Sequence, residues 1–326
     1  MRTSTTFAIL LAGLIPVVWV FGQQPLELRV DVSLVTLDVE VTDSMGRPVS
    51  TLKQEDFQVY ENGMLQTIRS FDSVETPYNI LLLFDCSAST QPDWPFLVEA
   101  MNRFGQMLRP QDRIEIAQFG GRFKVLRKWF GRAERGANVN VRPTDPVCAG
   151  TDFYGAVDQA LSELKSVKGR KGTVLLTDGG HNGIPVQTGN DAAAGRTRYV
   201  DSVEDREFQR RLKSVAGSDV ALYFVAVNTD LNPDDFSPED IYNKQQLRSR
   251  MEMLASASGG RVAFPRKPDE VVKLYEQLAH DLGLSYSLGY SPANSKKDGT
   301  YRKIEVRVLD RSLRVRQSRE GYTSDR

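Results

Sequence analysis

Apolar and polar positions change their period twice along this chain. Between Leu26 and Val41 they alternate: Leu26, Leu28, Val30, Val32 and Leu34 share one face, and Leu37, Val39 and Val41 resume in a shifted phase. A period of two predicts half-buried strands, either a pair or one strand with a bulge. Gly46-Arg47-Pro48 then predicts a turn, Phe57 and Val59 ahead of Asn62-Gly63 predict a hairpin, and Ile68 and Phe71 close an all-β segment.

From Tyr78 to Leu282, short continuous apolar runs alternate with stretches of helical spacing. Strands are predicted over Ile80–Phe84, Ile114–Gln118, Phe123–Trp129, Thr173–Leu176, Val220–Val227 and Arg261–Phe264. Helices are predicted over Trp94–Leu108, Phe153–Ser166, Glu204–Val215, Gln246–Ala257 and Pro268–Leu282. Such alternation implies α/β architecture, a mainly parallel sheet with helices on both faces. After Leu284 the pattern returns to β, with strands predicted over Ser285–Tyr290, Tyr301–Leu309 and Leu313–Gln317, separated by turn signals at Asp298-Gly299 and Asp310 to Ser312. The strands of either flank are too few to bury a core alone. Segments 26–76 and 284–322 are therefore expected to pack together as a β-sandwich into which the α/β domain, 77–283, is inserted.

Charge adds little to this picture. Lys and Arg number 42, as do Asp and Glu, so no net field points to nucleic acid or to an anionic membrane surface. The extreme N-terminus adds more: Arg2 precedes an apolar run from Phe7 to Phe21, with Val20 and Gly22 just before Gln23. Residues 1–22 read as a secretory signal peptide. The alternative is a retained anchor, although a run of about 15 residues broken by Pro16 is shorter than the roughly 20 that span a bilayer. Export would leave the mature chain periplasmic, at the cell surface or secreted, with no further membrane span. Its two cysteines, Cys86 and Cys148, would then either pair in an oxidising compartment or stay as buried thiols. The polar stretch from His181 to Tyr199 predicts a mobile surface loop.

The candidate chemistry gathers after two of the predicted strands. The run Ile80–Phe84 delivers Asp85, Ser87 and Ser89 at alternate positions, an all-oxygen set of the kind that hard divalent cations prefer. Gly150-Thr151-Asp152 places a hydroxyl at a helix start, and Leu176-Thr177-Asp178-Gly179 ends another strand with a carboxylate. In a parallel sheet the carboxyl ends of strands line one edge, so the three loops can converge. D-x-S-x-S alone recurs by accident; the three features in this order are specific.

In this order they resemble the metal-ion-dependent adhesion site of the von Willebrand factor type A (VWA) domain, over Tyr78 to Leu282. The resemblance implies a Rossmann-like fold in which Ser87, Ser89 and Thr151 bind Mg²⁺ directly. Asp85 and Asp178 would act mostly through bound water, and the last coordination position would belong to a ligand. The flanks RVDVSLVTLDVEVTDSMGRPVSTLKQEDFQVYENG and YSLGYSPANSKKDGTYRKIEVRV resemble the VWFA-related family of acidobacteria, which implies an exported protein of poorly defined role. Two departures stand out. Many type A domains carry Gly or similar small residues where Ala88 and Thr90 stand, and Cys86 beside Asp85 is less usual.

Two carboxylates formally balance one divalent cation, and with both in the outer shell the metal keeps an appetite for an anionic oxygen. A protein partner's Asp or Glu would meet it. Mn²⁺ would substitute for Mg²⁺, whereas Ca²⁺ prefers more oxygens and longer bonds. Taken singly, Ser87, Ser89 and Thr151 are ordinary loop and cap residues, and Asp152 suits the first turn of a helix. His181 reads as an exposed surface residue, and Trp94 and Tyr154 either rim a binding face or pack in the core. His181 and His280 make no zinc cluster, Pro92 stands where a phosphatase loop would need arginine, and no phosphate-binding P-loop occurs. A Mg²⁺ site without a general base binds rather than hydrolyses. The reading is an exported, metal-dependent protein-binding module and not an enzyme; the alternatives are a Mg²⁺-dependent hydrolase and a structural envelope protein with a vestigial site. The resemblance also implies that ligation can move the last helix, Pro268–Leu282.

Overall fold

The alternation that begins this chain buries Val35, Leu37, Val39 and Val41 on one face of β1 (Val35–Thr42). The computed structural model describes residues 34–131, 148–187, 198–296 and 298–324. The predicted signal peptide and the alternating positions from Leu26 to Val32 lie outside these residues, as do residues 188–197 of the predicted surface loop.

Strands from both flanks interleave in two antiparallel sheets. Before the α/β region come β1, β2 (Phe57–Glu61), β3 (Met64–Gln66) and β4 (Ile68–Asp72). After it come β11 (Ser285–Tyr290), β12 (Tyr301–Val308), β13 (Arg314–Gln317) and β14 (Gly321–Thr323). One sheet runs β13-β1-β11-β4 and the other β14-β12-β2-β3. Val39 faces Tyr286 across the first, and Val59 faces Val306 across the second. Leu37, Val39, Val59, Tyr286, Leu288 and Ile304 meet in one core between the sheets, so the sandwich exists only when both flanks are present. Each such buried side chain contributes about 1.5–3 kcal/mol.

Between the flanks lie β5 (Tyr78–Asp85), α1 (Trp94–Met107), β6 (Arg113–Phe119), β7 (Phe123–Gly131), α2 (Phe153–Leu164), β8 (Arg170–Thr177), α3 (Arg206–Ala216), β9 (Ala221–Ala226), α4 (Pro238–Ser258), β10 (Val262–Ala263) and α5 (Pro268–Leu284). The sheet order is β10-β9-β8-β5-β6-β7, parallel throughout except for the hairpin partner β7 at one edge. Along β5, Ile80, Leu82 and Phe84 pack under α1 and α5 with Leu97, Phe104 and Tyr275. Leu81 and Leu83 pack on the opposite face with Phe153, Val157 and Phe208. This two-sided burial is why the strand reads as a continuous apolar run.

The largest difference from expectation is α4, which begins at Pro238 rather than Gln246. Ser237 and Asp240 form a capping box: the Ser237 hydroxyl accepts from the Asp240 N–H at 3.1 Å, and the Asp240 carboxylate accepts from the Ser237 N–H at 3.3 Å. The polar turns that follow have no apolar stripe to announce them. At its other end the helix stops at Gly259, whose φ of 77° is the left-handed conformation that glycine adopts without penalty.

Buried polar groups join the sandwich to the α/β layer. Arg319 donates to the carbonyls of Ser256 (3.2 Å) and Ala257 (2.7 Å) in the last turn of α4, and to that of Thr36 on β1. Burial holds its guanidinium down to about 10, so it remains charged at neutral pH. Asp38 on β1 accepts from the hydroxyls of Tyr78 and Tyr223, on β5 and β9. Arg170 stacks over the Tyr78 ring at 4.6 Å and donates to the Leu282 carbonyl at 2.8 Å, three residues before β11 starts. Replacing Arg319 by Met removes a donor from three carbonyls, of which that of Ser256 keeps the Gly259 N–H. The Arg319→Met variant should lose about 3 kcal/mol of unfolding free energy, read as a lower denaturant midpoint at unchanged slope; an unchanged midpoint would mean that these bonds add nothing to stability.

Candidate metal centre

Parallel strands place their carboxyl ends along one edge. At that edge Asp85 ends β5 with no solvent exposure, Ser87 is buried and Ser89 is exposed, so the loop climbs from core to surface within five residues. Asp85 accepts from the Ser87 N–H at 2.9 Å through one carboxylate oxygen and from the Thr177 hydroxyl at 2.9 Å through the other. The Thr90 hydroxyl donates to the carbonyls of Asp85 (2.8 Å) and Ser87 (3.1 Å), closing the turn from inside. A small residue at position 90 would make neither bond, which gives this departure from the type A pattern a local structural role.

Three residues before Thr151, Cys148 forms a disulfide with Cys86, their Cα atoms 5.0 Å apart. The choice between paired and free thiols is settled in favour of pairing. Closing a loop over a sequence separation of 62 restricts the unfolded chain by about 4 kcal/mol in the entropic account. The bond also fastens the Thr151 loop to the residue between Asp85 and Ser87. Further ties come from the Asp152 N–H to the Gly120 carbonyl (2.7 Å) and from the Asn182 N–H to the Thr151 carbonyl (2.9 Å). Gly121 permits the approach, since a Cβ there would sit 2.1 Å from the Ala149 oxygen. Asp152 accepts from the Gly155 N–H at 2.9 Å and caps α2, the role expected of it. Thr151 itself is half-buried.

Asp178 follows β8 and is half-buried, with the Gly180 N–H donating to it at 2.8 Å. Its charge reaches across the cluster. Burial first, and the negative charge of Asp178 second, push the Asp85 carboxyl up to about 7. Asp93, buried at the start of α1, is raised by burial and by Asp178, against the opposing hydrogen bond from Asn228. The structure thus links Asp85 to Ser87 and Ser87 to Ser89 by hydrogen bonds, and Asp85 to Asp178 by charge; Thr151 lies on the loop that the disulfide ties to Cys86.

The donor chemistry fits a small hard cation. A buried carboxylate, Asp85, faces the charge of the half-buried Asp178, a repulsion that a divalent ion would relieve. The hydroxyl oxygens of Ser87 and Ser89 lie 3.2 Å apart; adjacent ligands of an octahedral Mg²⁺ at about 2.1 Å are roughly 3 Å apart. Among the described residues no group of three or more His, Cys, Asp or Glu is placed to hold a metal, so the set depends on hydroxyls.

Residues that sequence reasoning passed over complete the surroundings. Thr177 orients Asp85; its place beside Asp178 in the strand was the available signal. Asn228, in the left-handed region with φ 54°, donates to the Ser89 carbonyl (2.8 Å) and to Asp93 (3.1 Å), and Lys244 donates to the Asn228 carbonyl. Nothing in their local sequence announces this. His181 is not an exposed surface residue: its ring lies 4.1 Å from that of Tyr154, and burial holds its pKa down. Trp94 and Tyr154 are both buried, so neither rims the edge.

No family model matches the chain, and no curated protein matches it. Solved structures resembling it include a von Willebrand factor type A protein from Catenulispora acidiphila, at 12% identity and TM-score 0.43 over 91% of this chain and 75% of that one. The ArnB paralog VWA2 from Sulfolobus acidocaldarius stands at 12% and 0.42, over 90% of this chain and 76% of that one. The open conformation of the pilus adhesin SpaC from Lactobacillus rhamnosus GG stands at 11% and 0.46, over 86% of this chain and 48% of the adhesin, about half its length. Likenesses at these identities and scores carry no argument about function. The fold stands on strand order and packing: a Rossmann-like α/β sheet set into a β-sandwich.

A carboxyl raised in the folded state favours folding while protonated. Its contribution is complete below the unfolded value near 4 and is lost as pH rises through about 7. Metal-free protein should therefore lose on the order of 4 kcal/mol between pH 4 and 8 relative to Asp85→Asn. Parallel denaturant titrations of the two proteins in EDTA check this, and identical pH dependence would refute it.

Proposed function

We propose that this chain is an exported protein-binding module that holds Mg²⁺ at Asp85, Ser87, Ser89, Thr151 and Asp178 and captures a partner's carboxylate there. The observation that carries the proposal is the buried Asp85 facing the charge of Asp178 beside the two adjacent hydroxyls of Ser87 and Ser89. Following the type A resemblance, Ser87, Ser89 and Thr151 contact the ion, and Asp85 and Asp178 act through its water. The bound ion supplies a Lewis-acidic position for an anionic oxygen, and Mn²⁺ replaces Mg²⁺ there. Ser89, the exposed member, marks the side from which a ligand arrives.

Export is supported by the Cys86–Cys148 disulfide, since such bonds persist in oxidising compartments, together with the charged and apolar N-terminal run. No helix among the described residues is long and apolar enough to cross a membrane. The disulfide also bears on the hydrolytic alternative: with its sulfur bonded to Cys148, Cys86 offers no thiolate nucleophile.

Equilibrium dialysis should show one Mg²⁺ or Mn²⁺ per chain, absent in Asp85→Ala. Affinity capture from envelope extracts should yield a partner that EDTA and Asp85→Ala both release. Capture indifferent to both would overturn the proposal. Replacing Cys86 and Cys148 together by Ala should weaken Mg²⁺ binding at least tenfold while the circular dichroism spectrum stays α/β; unchanged affinity would show that the cross-link does not hold the site.

A further inference from the structure

Beside the candidate metal centre, along the same edge of the sheet, a cleft of about 530 Å³ opens between the loop after β9 and the loop after β10. Thr229, Asp230, Asn232, Arg248, Phe264 and Arg266 line it. Arg248 rises from α4 and lies over the Phe264 ring, its guanidinium carbon 3.6 Å from the centroid. One of its nitrogens donates to the Thr229 carbonyl at 3.2 Å, which leaves most of its five N–H groups to meet something else. Stacking fixes the plane of the fork in advance, the condition under which arginine recognises a planar anion with two parallel bonds. Arg266 is exposed at the rim. Among the described residues neither guanidinium forms an ion pair with a carboxylate. Asp230 is the one acidic group of the lining, and it accepts from its own loop at the Leu231 N–H, 2.7 Å away. Within the lining two cations face one anion, and Glu270 stands beside the rim, accepting from the Arg266 N–H at 2.8 Å.

The cleft and the metal loop are built on the same few residues. Asn228 bonds to the Ser89 carbonyl and to Asp93 on one side, and the next residue, Thr229, forms the wall of the cleft on the other. Lys244, one turn before Arg248 on α4, donates to the Asn228 carbonyl and feels the charge of both Asp178 and Asp230. A chain whose carboxylate sat at the metal would therefore pass Asn228 and reach Arg248 without leaving the surface.

We infer that this cleft is a second subsite for an acidic side chain of the same protein partner, so that the module reads two carboxylates spaced along one segment: the first at the metal and the second at Arg248 and Arg266. The inference rests on the metal-binding reading for the first anchor, while the cleft has its own chemistry. Two anchors on one segment raise affinity because the second binds at high effective concentration once the first is held.

The test uses the mature full-length chain and fluorescent Gly/Ser peptides that carry either one Asp or two Asp at graded separations, with anisotropy read in Mg²⁺ and in EDTA. A two-Asp peptide of one preferred spacing should bind at least tenfold tighter than the one-Asp peptide in Mg²⁺. That gain should disappear in Arg248→Gln and shrink in Arg266→Gln, while Mg²⁺ affinity by dialysis and one-Asp binding stay unchanged. Equal binding of one-Asp and two-Asp peptides, or a gain that survives both substitutions, overturns the second subsite, as does Mg²⁺ binding with no peptide binding at all. Failure of the metal reading looks different. The wild type would then bind no Mg²⁺, and a two-Asp preference persisting in EDTA but lost in Arg248→Gln would uphold the cleft alone.

Discussion

Burial of β5 on both faces is the constraint from which the rest of the molecule follows. The strand lies between β6 and β8 with every residue buried, and such a strand holds its register because apolar side chains fill both layers beneath the helices. At its start, Tyr78 meets Asp38 of the sandwich and the guanidinium of Arg170. At its end, Asp85 is carried into the interior of the carboxyl edge. One rigid element thus determines where the two β flanks attach and how deep the first acidic group of the candidate site lies.

That depth has an electrostatic cost. A carboxylate with no solvent exposure, facing the charge of Asp178, is a local conflict with stability, of the kind that functional sites tolerate. Hydrogen bonds from the Ser87 N–H and the Thr177 hydroxyl offset part of it. Separately, the Cys86–Cys148 bond stabilises the fold by limiting the unfolded ensemble and ties the Thr151 loop to the residue after Asp85.

Legibility followed burial. Strands buried on two faces, such as Ile80–Phe84 and Thr173–Leu176, appear as largely apolar runs because both faces meet apolar layers, and they sit inside the observed β5 and β8. The first turns of α4 were not legible, because a capping box and a polar surface leave no hydrophobic period. The short strand β14 depends on β12, with β13 between them in the chain, whereas β3 pairs with β2 across the predicted Asn62-Gly63 hairpin. Of the candidate site, the ordered motif named Asp85, Ser87, Ser89, Thr151 and Asp178. Asp93, Asn228 and Lys244 were invisible because they reach it from α1, the end of β9 and α4, with nothing in their neighbours' identities to mark them. His181 read as surface because its stacking on Tyr154 joins the loop after β8 to α2, a contact between elements apart in the chain.

By itself the sequence determined the α/β class, the all-β flanks and the residue types at the carboxyl ends of the strands, since period, turn chemistry and strand ends are local properties. Tertiary structure alone decided that Cys86 bonds to Cys148, that Asp85 is carried to full burial beside Asp178, and that an arginine-lined cleft adjoins the edge. Each of these depends on distances between residues far apart in the chain, and only the packing of β5 among its neighbours sets those distances.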